Sequence, residues 1–189
     1  MPSTSERDDR LQIWNSYFKL AWTATKAVFE ADGSKTEDNF DTDPAPLPDQ
    51  EHFILTSVLL TTLAIEARAN HLIEDLVEQG KVPATVARAV QWLPTADKWF
   101  AIPDLLGGPP LPDDNGPHQS IRQLGSLRND LMHANYARLG KKLPKRGAVL
   151  TCFENFVAAM EDMNVRLGKG GRTEARPAVL RLGRFVAKS

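Results

Sequence analysis

Apolar side chains recur along this chain at intervals of three and four, the spacing that lines one face of a helix. Ile13, Trp14, Phe18, Ala21, Trp22 and Val28 predict a first helix over 6–31, closed by Gly33. An acidic stretch and the sequence DPAPLP make 32–50 a linker. A long second helix is expected over 51–79, ending at Gly80. Its inner stripe would run Leu55, Leu59, Thr62, Glu66, Ala69, Ile73, Leu76. Pro83 suits the first turn of a third helix reaching about Leu93, and a short helical turn over 95–101 should follow. The Pro- and Gly-dense segment 102–117 reads as an irregular loop. A fourth helix is expected from about His118 to Tyr136, with Ile121, Leu124, Leu127, Leu131 and Met132 inward. A fifth is expected over 148–167, with Val149, Leu150, Phe153, Phe156, Val157, Met160, Met163 and Leu167 on one face. The tail after Gly168 has room for a short helix or strand over 179–186.

No strand-rich section and no internal repeat interrupts this pattern. The expected fold is therefore all-α, an antiparallel bundle of about five helices. Three parts follow: an N-terminal helix with its acidic, Pro-rich linker over 1–50, packing on the core; a helical core over 51–168; and a basic Gly/Arg-rich tail over 169–189. The 189 residues suit one domain, and an apolar fraction of 42% suffices for a core. The longest apolar run, Phe53–Ile65, is broken by threonines and followed by Glu66 and Arg68, so a core helix is expected there and not a membrane span. The polar first ten residues do not resemble a signal peptide, and the single cysteine, Cys152, can form neither an intrachain disulfide nor a Cys metal cluster. A cytoplasmic setting with no metal or cofactor is the resulting expectation. Trp14, Trp22, Trp92 and Trp99 are expected in the core or on a dimer face rather than as a base-stacking platform.

Charge adds a second picture. The net charge is −1, but residues 1–137 carry 11 Lys/Arg against 20 Asp/Glu, a net of −9, while 138–189 carry 12 against 4, a net of +8. Such asymmetry suits an anionic partner for the basic end, and equally two ends that attract each other or sit solvated. The loop 138–147 concentrates Arg138, Lys141, Lys142, Lys145 and Arg146, side chains suited to RNA phosphates.

Candidate chemistry is confined to one segment. The chain has no Gly-rich phosphate loop, no GxSxG elbow and no His pair at helical ligand spacing; His52, His71 and His118 are expected at the surface or at helix ends. The segment Ser126–Asn135, however, sets Arg128, Asn129, Asp130 and His133 on one helix. The run from Arg128-Asn129 to His133 resembles the RN-x-x-x-H signature of HEPN domains. AIEARANHLIEDL (64–76) is similar to that family's E-A-x-x-N helix, and DKWFAI (97–102) lies between the two as in many of its members. The resemblance spans roughly residues 50–168. It implies a HEPN-like fold and, in many members, a metal-independent endoribonuclease whose site is shared across a symmetric homodimer, of toxin or defence type, with an antitoxin or other protein as partner.

Helix geometry fits a shared site. Arg128 and His133 are about 140° apart around an ideal helix, so a two-fold axis would let one copy's arginine face the other's histidine. On that reading His133 is the general acid or base, Arg128 clamps the scissile phosphate, and Asn129 positions an oxygen. Asp130 could orient the imidazole, and the product would be a 2′,3′-cyclic phosphate. The alternative is a non-catalytic HEPN-like interaction or nucleotide-binding module. There Arg128 would pair with Glu66, a carboxylate that needs a cation on its inner stripe.

Overall fold

A computed structural model describes residues 4–30, 48–112, 116–132 and 145–168. Within them the regular secondary structure is all helix, with six helices: α1 (Thr4–Glu30), α2 (Pro48–Glu78), α3 (Ala84–Gln91), α4 (Thr95–Leu105), α5 (Gly116–Met132) and α6 (Arg146–Arg166). There is no strand among the described residues. The sixth helix is α4, where a short turn followed by a loop was expected. It continues through Pro103, whose missing N–H forfeits one backbone bond, because Ile102 and Pro103 are both buried. Pro83 sits at the N-cap of α3 (φ −62°, ψ 138°), one position before the helix proper, and its carbonyl accepts the amides of Val86 and Ala87. The tail over 179–186 lies outside the described residues.

The long helix α2 packs against each of the other five helices. By length and composition its segment Glu51–Glu78 could cross a membrane; here it forms the axis of the core. Being covered on several sides, it has no single inner stripe. Ile54, Val58, Ile65, Leu72, Ile73 and Leu76 are buried, whereas Leu55 and Leu59 are half-buried. Gly80 ends the helix with φ 67°, a left-handed conformation that suits glycine, and the Lys81 amide returns to the Leu76 carbonyl at 2.9 Å. Between α1 and α2 the buried hydroxyls of Thr25 and Ser57 share a hydrogen bond of 2.6 Å, each meeting a partner where water is excluded.

The expected apolar face of α6 is the floor of the core. Phe153 and Phe156 are fully buried, with Phe18 and Trp22 of α1 stacked 5.3 and 5.5 Å from the Phe153 ring. Trp99 of α4 is fully buried, and Trp14 and Trp22 pack against the core. Of the two places expected for Trp92, the core or a dimer face, the core is excluded: it is 86% exposed. Ile13 is likewise exposed.

Phe153 touches three aromatic rings and carries much of the α1–α6 contact. Phe153→Ala should lower unfolding stability by about 3–5 kcal/mol. Ile13→Ala should stay within about 0.5 kcal/mol. Urea denaturation of both variants checks this, with an unchanged m-value expected for each.

Candidate functional site

Sequence order places Ala96 and Gly125 far apart, but α4 and α5 come together at these two small residues; a Cβ on Gly125 would lie 3.5 Å from that of Ala96. The close approach leaves a cleft of about 510 Å³ beside it. One wall is the α5 face Gly125, Arg128, Asn129, spaced at three and four, with Ser126 beside it. The opposite wall is the tight turn Trp92-Leu93-Pro94 and the first turn of α4, Thr95–Asp97, and Glu66 of α2 completes the lining. The volume falls within the range of small-ligand sites.

Glu66 is not Arg128's partner. Its carboxylate accepts hydrogen bonds from the Lys98 ammonium at 3.2 Å and the Thr95 hydroxyl at 3.0 Å. Lys98 requires it, because that side chain is 2% exposed and an unpaired ammonium there would be costly. The other lining carboxylate, Asp97, has the Arg122 guanidinium 3.8 Å away. Arg128 is half-buried, and its Nη1 donates to the Asn129 side-chain oxygen at 3.1 Å. Among the described residues no carboxylate lies within ion-pair distance of it. The cleft lining thus carries two carboxylates, each with a cation from outside the lining beside it, and one guanidinium, Arg128, next to the Asn129 amide.

The structure thus brings Glu66, Arg128 and Asn129 into one cleft. Asp130 lies on the same helix but not in the cleft lining. His133, Arg138, Lys141 and Lys142 lie outside the described residues. Lys145 is exposed at the start of α6, and the side chain of Arg146 is outside the described set. Among the described residues no group of three or more His, Cys, Asp or Glu is placed to hold a metal ion. Burial pushes the Cys152 thiol above its ordinary pKa, which makes it a poor nucleophile near neutral pH.

His118 corrects the expectation of a surface histidine: it is 1% exposed. Its Nδ1 accepts the indole N–H of Trp99 at 3.1 Å, and its Nε2 faces Asp162 Oδ2 at 2.9 Å. Indole N–H can only donate, so the proton of the neutral ring is on Nε2 and is donated to Asp162. Arg166 adds a hydrogen bond of 2.7 Å to the same carboxylate oxygen. This clasp joins α4, α5 and α6. Its sequence signal is weak, because the three residues are scattered and a lone histidine near a helix start suggests exposure. Burial holds the His118 imidazole below the ordinary histidine pKa and Arg166 acts the same way, outweighing the hydrogen bond and charge of Asp162. Burial alone would raise the Asp162 carboxyl, but hydrogen bonds from Arg166 and His118 bring it below its usual value.

Comparison with protein-family models, with curated proteins and with solved structures yields no match.

The clasp makes stability depend on pH in a stated direction. Below about pH 6.5 the unfolded chain binds a proton at His118 that the folded chain resists, so stability falls as pH drops, by at most about 1.4 kcal/mol per unit from this group. The Asp162 contribution is lost at lower pH, below about 3.9. His118→Phe should lack the first step and be about 1–3 kcal/mol less stable at pH 7.5, since the Trp99 N–H loses its acceptor. Denaturation midpoints from pH 7.5 to 5 for both proteins check the sign; equal slopes would contradict the assignment.

Proposed function

We propose that this chain is a HEPN-like helical protein that cuts RNA without a metal, from a site completed by a second copy. The observation that carries the reading is the Arg128–Asn129 pair in a cleft whose carboxylates already stand beside cations. An all-helical core supports it, with the Glu66 segment of α2 and the Arg128 segment of α5 lining the same cleft.

In the proposed reaction Arg128 holds the scissile phosphate in a two-pronged hydrogen bond and stabilises the charge that builds on it. His133 removes the proton of the ribose 2′-hydroxyl, whose oxygen attacks phosphorus. The bond to the 5′-oxygen breaks, the proton held on the His133 imidazolium passes to that oxygen directly or through water, and the products carry a 2′,3′-cyclic phosphate and a 5′-hydroxyl. The nucleophile belongs to the substrate, so the protein supplies proton transfer and charge. Arg138, Lys141, Lys142, Lys145 and Arg146 hold flanking phosphates in a salt-dependent way. A homodimer brings the arginine of one copy to the histidine of the other, and an antitoxin-like partner protein would restrain such an activity in a cytoplasm.

A second reading is a non-catalytic nucleotide-binding or interaction module. The Arg128–Glu66 pair expected of it is not formed, since Lys98 and Thr95 hold that carboxylate, while the cleft beside Arg128 is compatible with a bound nucleotide.

Incubation of the pure protein with RNA and EDTA separates the two. The enzyme reading expects cleavage with cyclic ends, lost about a hundred- to ten-thousand-fold in His133→Ala with RNA binding nearly intact. Arg128→Ala should lower both binding and cleavage. Full activity in His133→Ala would reject the mechanism, folded dimers with no activity would select the module, and a monomer at high micromolar concentration by light scattering would reject the composite site.

A further inference from the structure

Trp92 does not sit where a large apolar ring usually sits. It is 86% exposed, and among the described residues no other aromatic ring stacks on it. Its backbone is nonetheless held firmly. Trp92 is the C-cap of α3, and its amide and that of Leu93 bond to the carbonyls of Ala89 and Val90 at 3.3 and 3.0 Å. Pro94 then starts α4, its carbonyl accepting the Lys98 amide at 2.9 Å. The ring therefore projects from a short, hydrogen-bonded turn between two helices. Trp92 is among the residues that line the cleft of Arg128 and Asn129.

The company the ring keeps identifies its ligand. The fully buried core of a homodimer interface is more apolar than the rest of a protein surface. Here Leu93 and Pro94 flank the ring, but Glu66, Thr95, Asp97, Ser126, Arg128 and Asn129 make six of the eleven lining residues polar or charged. A flat apolar surface and a guanidinium in one cleft match a flat ring that carries a phosphate. We infer that Trp92 is the base-stacking platform of this cleft, receiving the base of a nucleotide in single-stranded RNA whose phosphate rests on Arg128. The inference rests on the proposed role of Arg128 as a phosphate ligand and adds to it how the strand is gripped. Stacking needs an unpaired base, so it selects single strands over duplex and tolerates any base identity.

The test uses the full chain and a fluorescent 2′-O-methyl RNA hexamer, which cannot be cleaved through its 2′-oxygen, beside a fully abasic strand of the same length and a nucleoside monophosphate. Binding is read by anisotropy for the strands and by calorimetry for the monophosphate. Trp92→Ala should weaken the base-bearing hexamer roughly 5- to 150-fold, leave the abasic strand unchanged, and be largely rescued by Trp92→Phe. Loss of monophosphate affinity in the same variant would show that one base with its phosphate fills the site; an unchanged monophosphate would assign the stack to a neighbouring nucleotide of the strand. If Trp92→Ala binds both strands as the native protein does while Arg128→Ala still weakens them, the stacking inference is overturned and the phosphate reading stands. If Arg128→Ala changes nothing, or the native protein binds neither strand, both fall. Equal weakening of both strands with loss of dimer by light scattering would make Trp92 a subunit contact and also overturn the inference.

Discussion

A lysine with 2% of its side chain exposed cannot be left without a counter-charge, and the arrangement around α4 follows from that requirement. Lys98 finds Glu66 on α2, and Thr95, one turn earlier, donates to the same carboxylate. The pair fixes both the rotation of α4 about its axis and its height along α2. The adjacent residue, Trp99, is buried on another side and donates to His118. Two consecutive side chains thus tie α4 in two directions, one to the central helix and one to the His118–Asp162 clasp of α5 and α6. Breaking either partner would leave a buried polar group unsatisfied, which costs more than the bond itself contributes.

With α4 fixed in this way, α5 meets it at Ala96 and Gly125, and the cleft is what remains beside that contact. The anchoring pair also settles the local charge. Glu66 would otherwise present an unmatched carboxylate beside Arg128, and an arginine paired to it would be unavailable to a ligand. Because Lys98 and Thr95 hold Glu66, Arg128 is not paired to it, and its Nη1 donates to Asn129 instead. A feature required by packing therefore accompanies a guanidinium with no carboxylate partner among the described residues.

Much of the fold was legible because helical periodicity is a local signal. The apolar face of α6 and the Gly80 stop of α2 follow from residues within a few positions of one another. Legibility failed where the determining contact is distant. Pro103 suggested a break, yet burial of Ile102 and Pro103 carries α4 through it. The stripe expected on α2 was too narrow because a single-face pattern cannot express a helix covered on several sides. Glu66 is recognisable as a carboxylate in need of a cation, but its partner Lys98 is not, because a buried lysine is not foreseen from sequence. His118 looked peripheral because neither Trp99 nor Asp162 is near it in the chain. The residue types of 126–135 mark that segment as a candidate site, and Arg128 and Asn129 do line a cleft; the cleft wall contributed by Trp92 and Pro94 is not legible, since nothing in that turn marks it as facing α5.

The central claim is that the anchoring of Glu66 leaves Arg128 as a phosphate ligand in the α4–α5 cleft. A crystal structure of the protein with a short RNA strand, 2′-deoxy at the position to be cut, tests it most directly. The account predicts a phosphate oxygen within hydrogen-bonding distance of the Arg128 guanidinium, with Glu66 still joined to Lys98. A strand bound elsewhere on the molecule, or an Arg128 turned to Glu66 when the strand is bound, would contradict it.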